Sequence, residues 1–244
     1  ARAEKRQIVQ VTDQLLLNTT FEDLGITSYE GKTRAFLKIQ DGCNRFCSYC
    51  IIPYARGGLS SKAPKKVLRE IEKLAEEGFQ EVILSGIHIA SYGHDLPEKW
   101  DLLDLLEEVE KIQGIHRVRI GSIEPMFFKE GRMERILKLK KLCPHFHLSL
   151  QSGSNETLKR MNRRYTKEEF QAVVEELRDK MEDVSITTDI IVGFPEETEE
   201  EFIETYGFLQ TMKLTKIHTF KYSPRKGTPA YHMKDQVSGA EKDH

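Results

Sequence analysis

Asp41-Gly42-Cys43-Asn44-Arg45-Phe46-Cys47-Ser48-Tyr49-Cys50 sets three cysteines within eight residues, in the spacing C-x3-C-x2-C. An apolar, strand-like run at residues 35–40 leads straight into it. Outward from this point the chain alternates. Further strand-like runs occur at 81–85, 117–121, 145–150, 185–192 and 216–222, with helix-like stretches between them. The first helix-like stretch carries Val67, Leu68, Ile71, Leu74 and Ala75 on one face, with Pro64 suited to its first turn and Gly78 to its end. The second carries Leu102, Leu106, Val109 and Ile112 and closes at Gly114. A third spans 132–142, and a fourth, at 167–180, shows Phe170, Val173, Val174 and Leu177. The fifth opens with the capping box Thr198-x-x-Glu201 and presents Phe202, Tyr206 and Leu209.

Six β-α units in series predict a parallel sheet with right-handed crossovers. Six strands are too few for a closed eight-fold barrel, so an open doubly wound sheet and a partial barrel both satisfy the pattern. In either, ligands gather at the C-terminal ends of the strands. The cysteine loop follows the first strand and so belongs to that face. Three thiolates this close in sequence suit one iron–sulfur cluster, each reaching a different iron, with the fourth iron left without a protein ligand. An open coordination position serves catalysis rather than electron carriage. The competing reading is a structural zinc site, which wants four ligands, usually in two spaced pairs. No second pair follows, so a distant histidine would have to complete it.

With these residues in place the chain resembles the radical S-adenosylmethionine (SAM) superfamily, Tyr49 standing as the aromatic residue before the last cysteine. Within it the chain resembles the methylthiotransferases. The residues that carry this are Cys50-Ile51-Ile52-Pro53-Tyr54-Ala55-Arg56-Gly57, Leu150-Gln151-Ser152-Gly153-Ser154 with Leu158-Lys159-Arg160-Met161-Asn162-Arg163 and Tyr165-Thr166, and Thr188-Asp189-Ile190-Ile191-Val192-Gly193-Phe194-Pro195. Gly86-Ile87-His88, Tyr92-Gly93 and Ser122-Ile123-Glu124 are similar to the branch that modifies N6-threonylcarbamoyladenosine in tRNA.

The resemblance implies a partial (β/α)6 TIM-type barrel over residues 34–234. Residues 1–33 would then be a lead-in from an N-terminal domain, and 235–244 a C-terminal tail before an RNA-binding barrel domain. The chain opens with Ala rather than Met and reads as a processed or excised fragment. The implied cofactors are SAM and a [4Fe–4S] cluster on Cys43, Cys47 and Cys50, with a second [4Fe–4S] cluster expected in the N-terminal domain. The implied reaction adds a methylthio group to C2 of the adenine of N6-threonylcarbamoyladenosine beside the anticodon. The alternatives are another methylthiotransferase, acting on isopentenyladenosine tRNA or a ribosomal protein, and a non-catalytic iron–sulfur or zinc module. Two departures stand out. Glu196 occupies a position where the family usually has Gly, and the 58–61 stretch replaces an Arg that often follows Arg56-Gly57.

In this superfamily SAM chelates the open iron through its amino and carboxylate groups, so the protein must hold a carboxylate, an ammonium, a ribose and an adenine. Glu124 would accept from the ammonium; its plainer reading is a helix-entry carboxylate before Pro125. Gln151 and Ser152 suit ribose hydroxyls, or turn chemistry around Gly153. Arg163 would give the SAM carboxylate a bidentate fork, unless it is one solvated charge among Lys159, Arg160 and Arg164. Asp189, a charge amid Ile and Val, needs a partner, either the cofactor or a structural hydrogen bond. Val192-Gly193 would let the backbone approach adenine, and Tyr49 with Phe46 would shield the cluster. His88, His145 and His147 read as packing residues, and Cys143 as a buried free thiol.

The net charge of −2 excludes the strongly basic balance of a domain that grips nucleic acid unaided. Binding to a tRNA anticodon stem-loop is therefore expected to be weak. No apolar run reaches the roughly 20 residues that span a bilayer, and no signal peptide opens the chain. The expected setting is cytoplasmic, without a membrane partner, and with an electron donor such as flavodoxin or ferredoxin.

Overall fold

The computed structural model describes Phe21, residues 33–129 and residues 131–244. The lead-in expected at 1–33 falls almost wholly outside the described residues. From Arg34 the strands are β1 (Arg34–Asp41), β2 (Ser60–Ser61), β3 (Glu81–Gly86), β4 (Arg117–Ile120), β5 (His145–His147), β6 (Ser185–Val192) and β7 (Lys216–Lys221). The helices are α1 (Ile52–Arg56), α2 (Pro64–Glu76), α3 (Leu102–Val109), α4 (Arg132–Ile136), α5 (Asn155–Arg160), α6 (Lys167–Lys180), α7 (Glu199–Met212) and α8 (Gly239–Asp243).

β1, β3 and β4 pair in parallel, with Ala35 opposite Val82 and Leu84 opposite Ile120. β5, β6 and β7 form a second parallel ladder, with Phe146 opposite Ile186 and Asp189 opposite His218. Parallel bridges Val118–Leu142 and Ile123–Leu148 join the two into one curved run of six parallel strands in chain order. β1 and β7 do not pair among the described residues, so the barrel stays open, as the partial (β/α)6 reading expects. Alternate residues of β1, namely Ala35, Leu37 and Ile39, enter the core, where Val67, Ile71 and Leu74 of α2 meet them. Pro64 occupies the first turn of α2, and Gly78 follows its end at φ 90°. Capping boxes at Asp101/Asp104, Thr166/Glu169 and Thr198/Glu201 open α3, α6 and α7. Each N-cap is worth about 1 kcal/mol.

Several elements differ from the sequence reading. The fourth parallel strand ends at His147 rather than 150, its pairing continuing only through Leu148 and Gln151. The helix expected over 132–142 stops at Ile136. The 58–61 stretch contributes β2, antiparallel to β1, held where Ser61 donates to Asp95 through its backbone N–H (2.9 Å) and its hydroxyl (2.6 Å). The largest correction concerns α7. Phe202 and Tyr206 are 46% and 58% exposed, and Thr205 and Met212 are buried instead. The helix lies so close to the turn at Gly153 that a Cβ there would come within 2.9 Å of Thr205 Cα. Only a small side chain fits that contact, so Phe202 and Tyr206 face outward, while Leu209 packs partly buried against the core as expected.

Candidate cofactor site at the strand ends

The cysteine loop leaves β1 through Gly42, whose φ is 65° and whose missing side chain matters: a Cβ would sit 1.7 Å from the Gly58 carbonyl oxygen. The Cys43 N–H donates to Gly57 O (3.2 Å) and the Cys50 N–H to Cys47 O (2.9 Å). Distant segments clamp the loop. Ser48 N–H reaches Met161 O (3.0 Å), Ala230 N–H reaches Ser48 O (2.8 Å), Ser48 Oγ donates to Arg160 O (2.7 Å), and Asn162 Nδ2 donates to Phe46 O (2.9 Å). Cys43 and Cys47 are buried and Cys50 is partly so. Burial pushes the Cys43 and Cys50 thiols up, and the neighbouring loop cysteines push the same way. Thiols so placed ionise readily only with a cation among them, which suits a metal-bound state.

Glu124 lies four residues beyond β4, at the entry to a 3-10 turn beginning at Pro125. Its Oε2 is 3.1 Å from Arg45 Nη2 and 3.0 Å from His88 Nε2, and its Oε1 is 3.3 Å from Arg163 Nη2. Burial alone would raise this carboxyl. The His88 hydrogen bond and the Arg163 and Arg45 charges outweigh it and hold the pKa at about 2. Arg163 is aimed by Tyr165, whose hydroxyl accepts from Nε (2.8 Å) and donates to Leu150 O (3.0 Å). Its Nη1 donates to Cys47 Sγ (3.2 Å). Its buried Nη2 has no hydrogen-bond partner among the described residues, despite the ion pair with Glu124. The guanidinium therefore bridges the cluster loop and Glu124 with a donor to spare.

Across the barrel, a cavity of about 290 Å³ is lined by Tyr49, Gln151, Asp189, Ile191 and Lys221, among others. Gln151 takes φ 76° and bridges to β6, its N–H donating to Asp189 O (2.9 Å). Tyr49 packs edge-on against Phe194 (6.5 Å), whereas Phe46 turns outward onto Tyr54 and is 40% exposed. Ser152 is fully buried, its hydroxyl 3.2 Å from Thr205 Oγ1 and accepting from Ser154 N–H, so it serves the turn rather than the cavity. Gly193 donates its N–H to Glu197 (2.6 Å), and the Lys242 side chain from α8 covers it: a Cβ there would lie 2.4 Å from Lys242 Cγ. Asp189 contacts His147 Nε2 at 3.1 Å and His218 Nδ1 at 3.3 Å.

Sequence reasoning missed Arg45 and His88. Arg45 sits between Cys43 and Cys47, and His88 follows a strand end, the place where ligand-facing residues gather. The second signal was present, but one loop histidine carries too little information to separate packing from a site. Cys143 is a buried free thiol, as expected.

Residues 37–209 match the Radical SAM superfamily, and the chain belongs to that superfamily. Over 235 residues it is 42% identical to the threonylcarbamoyladenosine tRNA methylthiotransferase MtaB of Bacillus subtilis (strain 168), covering 96% of this chain and 52% of that protein. It is 45% identical over 217 residues to the tRNA-2-methylthio-N(6)-dimethylallyladenosine synthase of Pelotomaculum thermopropionicum, covering 89% of this chain and 48% of that one. The chain spans about half the length of these curated relatives. Among solved structures it is similar to the radical SAM methyltransferase TsrM from Kitasatospora setae (TM-score 0.66, 18% identity, 81% of this chain and 36% of that one). It is likewise similar to coproporphyrinogen III oxidase (HemN) from Escherichia coli (TM-score 0.60, 16% identity, 85% and 49%). At these identities the likeness concerns the fold.

Proposed function

We propose that the chain is the catalytic barrel of a tRNA methylthiotransferase, acting at C2 of the adenine of N6-threonylcarbamoyladenosine beside the anticodon. The observation that carries the reading is Arg163, set between Cys47 Sγ and Glu124; its buried Nη2 ion-pairs with Glu124 but has no hydrogen bond among the described residues. Cys43, Cys47 and Cys50 would hold the [4Fe–4S] cluster, which when bound supplies the electron for reductive cleavage of SAM. Arg163 then offers the SAM carboxylate its free donor, and Glu124 accepts from the ammonium. Gln151 and Asp189 face the cavity with polar atoms for the nucleoside part, and Tyr49 walls it off from water. Ser152 and Gly193 shape the backbone beneath. Of the branch-specific residues, His88 reaches Glu124 itself, whereas Tyr92 is buried in the core with its hydroxyl donating to Lys62 O (2.7 Å).

Relatives named for the dimethylallyladenosine substrate are equally similar, so that tRNA is the second reading. The electron donor is proposed to be a flavodoxin or ferredoxin and the setting the cytoplasm; no helix among the described residues is long and apolar enough to cross a membrane. The 244 residues hold four cysteines, and three are taken by the loop. A second cluster therefore needs thiolates from elsewhere.

The test is anaerobic reconstitution with iron and sulfide counting, calorimetry of SAM binding, and mass spectrometry of nucleosides from treated tRNA. Four irons per chain are expected, with SAM binding lost in Glu124→Ala and Arg163→Ala. Reductant should yield 5′-deoxyadenosine but no methylthio product from this chain alone. Zinc without iron would support the non-catalytic module. Wild-type SAM affinity in both variants would remove these residues from the site.

A further inference from the structure

We propose that His147, Asp189 and His218 form a site for one divalent transition-metal ion, separate from the cysteine loop. The three residues come from three adjacent strands, β5, β6 and β7, and present donor atoms within 4.8 Å of one another. Asp189 and His218 are register partners, and His147 is paired with Thr187, two residues earlier on β6. Side chains alternate along a strand, so Thr187 and Asp189 share a face. Asp189 lines the cavity, which identifies that face as the barrel interior.

The donor set and its spacing suit a metal. Two imidazoles and one carboxylate are borderline ligands of the kind zinc and iron(II) take. Metal–ligand bonds of about 2.0–2.1 Å in a tetrahedral set place the donors about 3.3 Å apart. Here Asp189 faces each ring with a different oxygen, Oδ2 at 3.1 Å from His147 Nε2 and Oδ1 at 3.3 Å from His218 Nδ1, and one donor atom from each residue lies within 4.8 Å of the others. The outer partner is also present: Thr187 Oγ1 lies 2.9 Å from His147 Nδ1. A metal on Nε2 leaves Nδ1 protonated, free to donate to that hydroxyl, and such a bond fixes the ring. Charge argues the same way. Asp189 is a partly buried carboxylate whose ion-pair partners among the described residues are these two histidines, with no Lys or Arg within salt-bridge reach. One carboxylate between two imidazoles is a donor set that a divalent ion complements. With three protein ligands beside a cavity, the ion would keep an open position.

The test uses reconstituted protein with its cysteine-bound cluster in place, stripped of loose metal on a chelating resin and titrated with zinc sulfate by calorimetry while iron content is followed. One zinc per chain is expected, with iron unchanged. Asp189→Asn and His218→Ala should weaken binding at least tenfold, and Thr187→Val by about 10- to 100-fold. His218 lies on the edge strand and is partly exposed, so its variant keeps the fold, and retained iron verifies this. No zinc uptake, uptake only as iron is lost, or unchanged affinity in Asp189→Asn and His218→Ala would each overturn the site. Absent zinc together with lost SAM affinity in Asp189→Asn would overturn the metal site and leave Asp189 with the SAM pocket alone.

Discussion

Glu124 shows how a single carboxylate records its surroundings. Its ordinary pKa of 4.5 drops to about 2 because two guanidinium groups and His88 outweigh the cost of burial. A depressed folded-state value means the unfolded chain takes up the proton first as the pH falls. The stabilisation, on the order of 3 kcal/mol, is therefore complete above pH 4.5 and is lost as the pH drops towards 2. Urea midpoints measured across this window should fall steeply in the wild type, and Glu124→Gln should flatten that limb while lowering stability at neutral pH. Glu196 gives a second residue-scale prediction. It holds φ 64°, its N–H donating to Asp235 O (3.0 Å), so the backbone keeps a glycine-like shape without glycine. The left-handed region costs a non-glycine residue about 1–2 kcal/mol, partly offset by glycine's larger unfolded-state entropy. Glu196→Gly should stabilise the protein by about 0.5–1 kcal/mol, read as a raised melting temperature. Glu124 stands out in the sequence because it follows a strand end, whereas Arg163, beyond α5, stands out only through the family resemblance. Arg45 does not stand out, since nothing local says that its side chain crosses to Glu124.

At the scale of elements, the cysteine loop depends on its hinge as well as its ligands. Cys47→Ala should remove most of the bound iron, and a full four-iron count in that variant would refute the assignment. Gly42→Ala should lower iron loading with all three thiols intact, because the added methyl meets the Gly58 carbonyl and the loop must move. Iron per chain after reconstitution checks both. The helices divide by what buried them. α2 and α6 follow their apolar spacing, since large side chains fill the space against the sheet. α7 does so only through Leu209, because it approaches Gly153 through Thr205 and Phe208, and a close approach to a glycine leaves no mark in hydrophobic periodicity. β2 was equally hidden: two serines become a strand only through Asp95, 34 residues away.

For the whole molecule, parallel order could be read from the alternation of units, but the choice between an open sheet and a partial barrel could not. That choice rests on curvature carried by two bridges, Val118–Leu142 ahead of β5 and Ile123–Leu148 just beyond the ends of β4 and β5. Charge is also a property of the whole. With a net charge of −2, the chain should bind tRNA weakly at physiological salt, and the affinity should fall as salt rises. Filter binding across a salt series measures this, and tight, salt-insensitive binding would contradict it.

The open seam between β1 and β7 has a clasp. Among the described residues no strand pairing closes it, yet Ser48 in the cysteine loop accepts from Ala230, beyond β7. The cysteine loop thus fastens the two margins of the sheet, and loading it with the proposed cluster should tighten a seam that hydrogen bonding along the strands leaves loose. Hydrogen–deuterium exchange should show β7 amides slowing on reconstitution, although β7 supplies no cysteine. Equal exchange in loaded and unloaded protein would mean that the clasp holds without its metal.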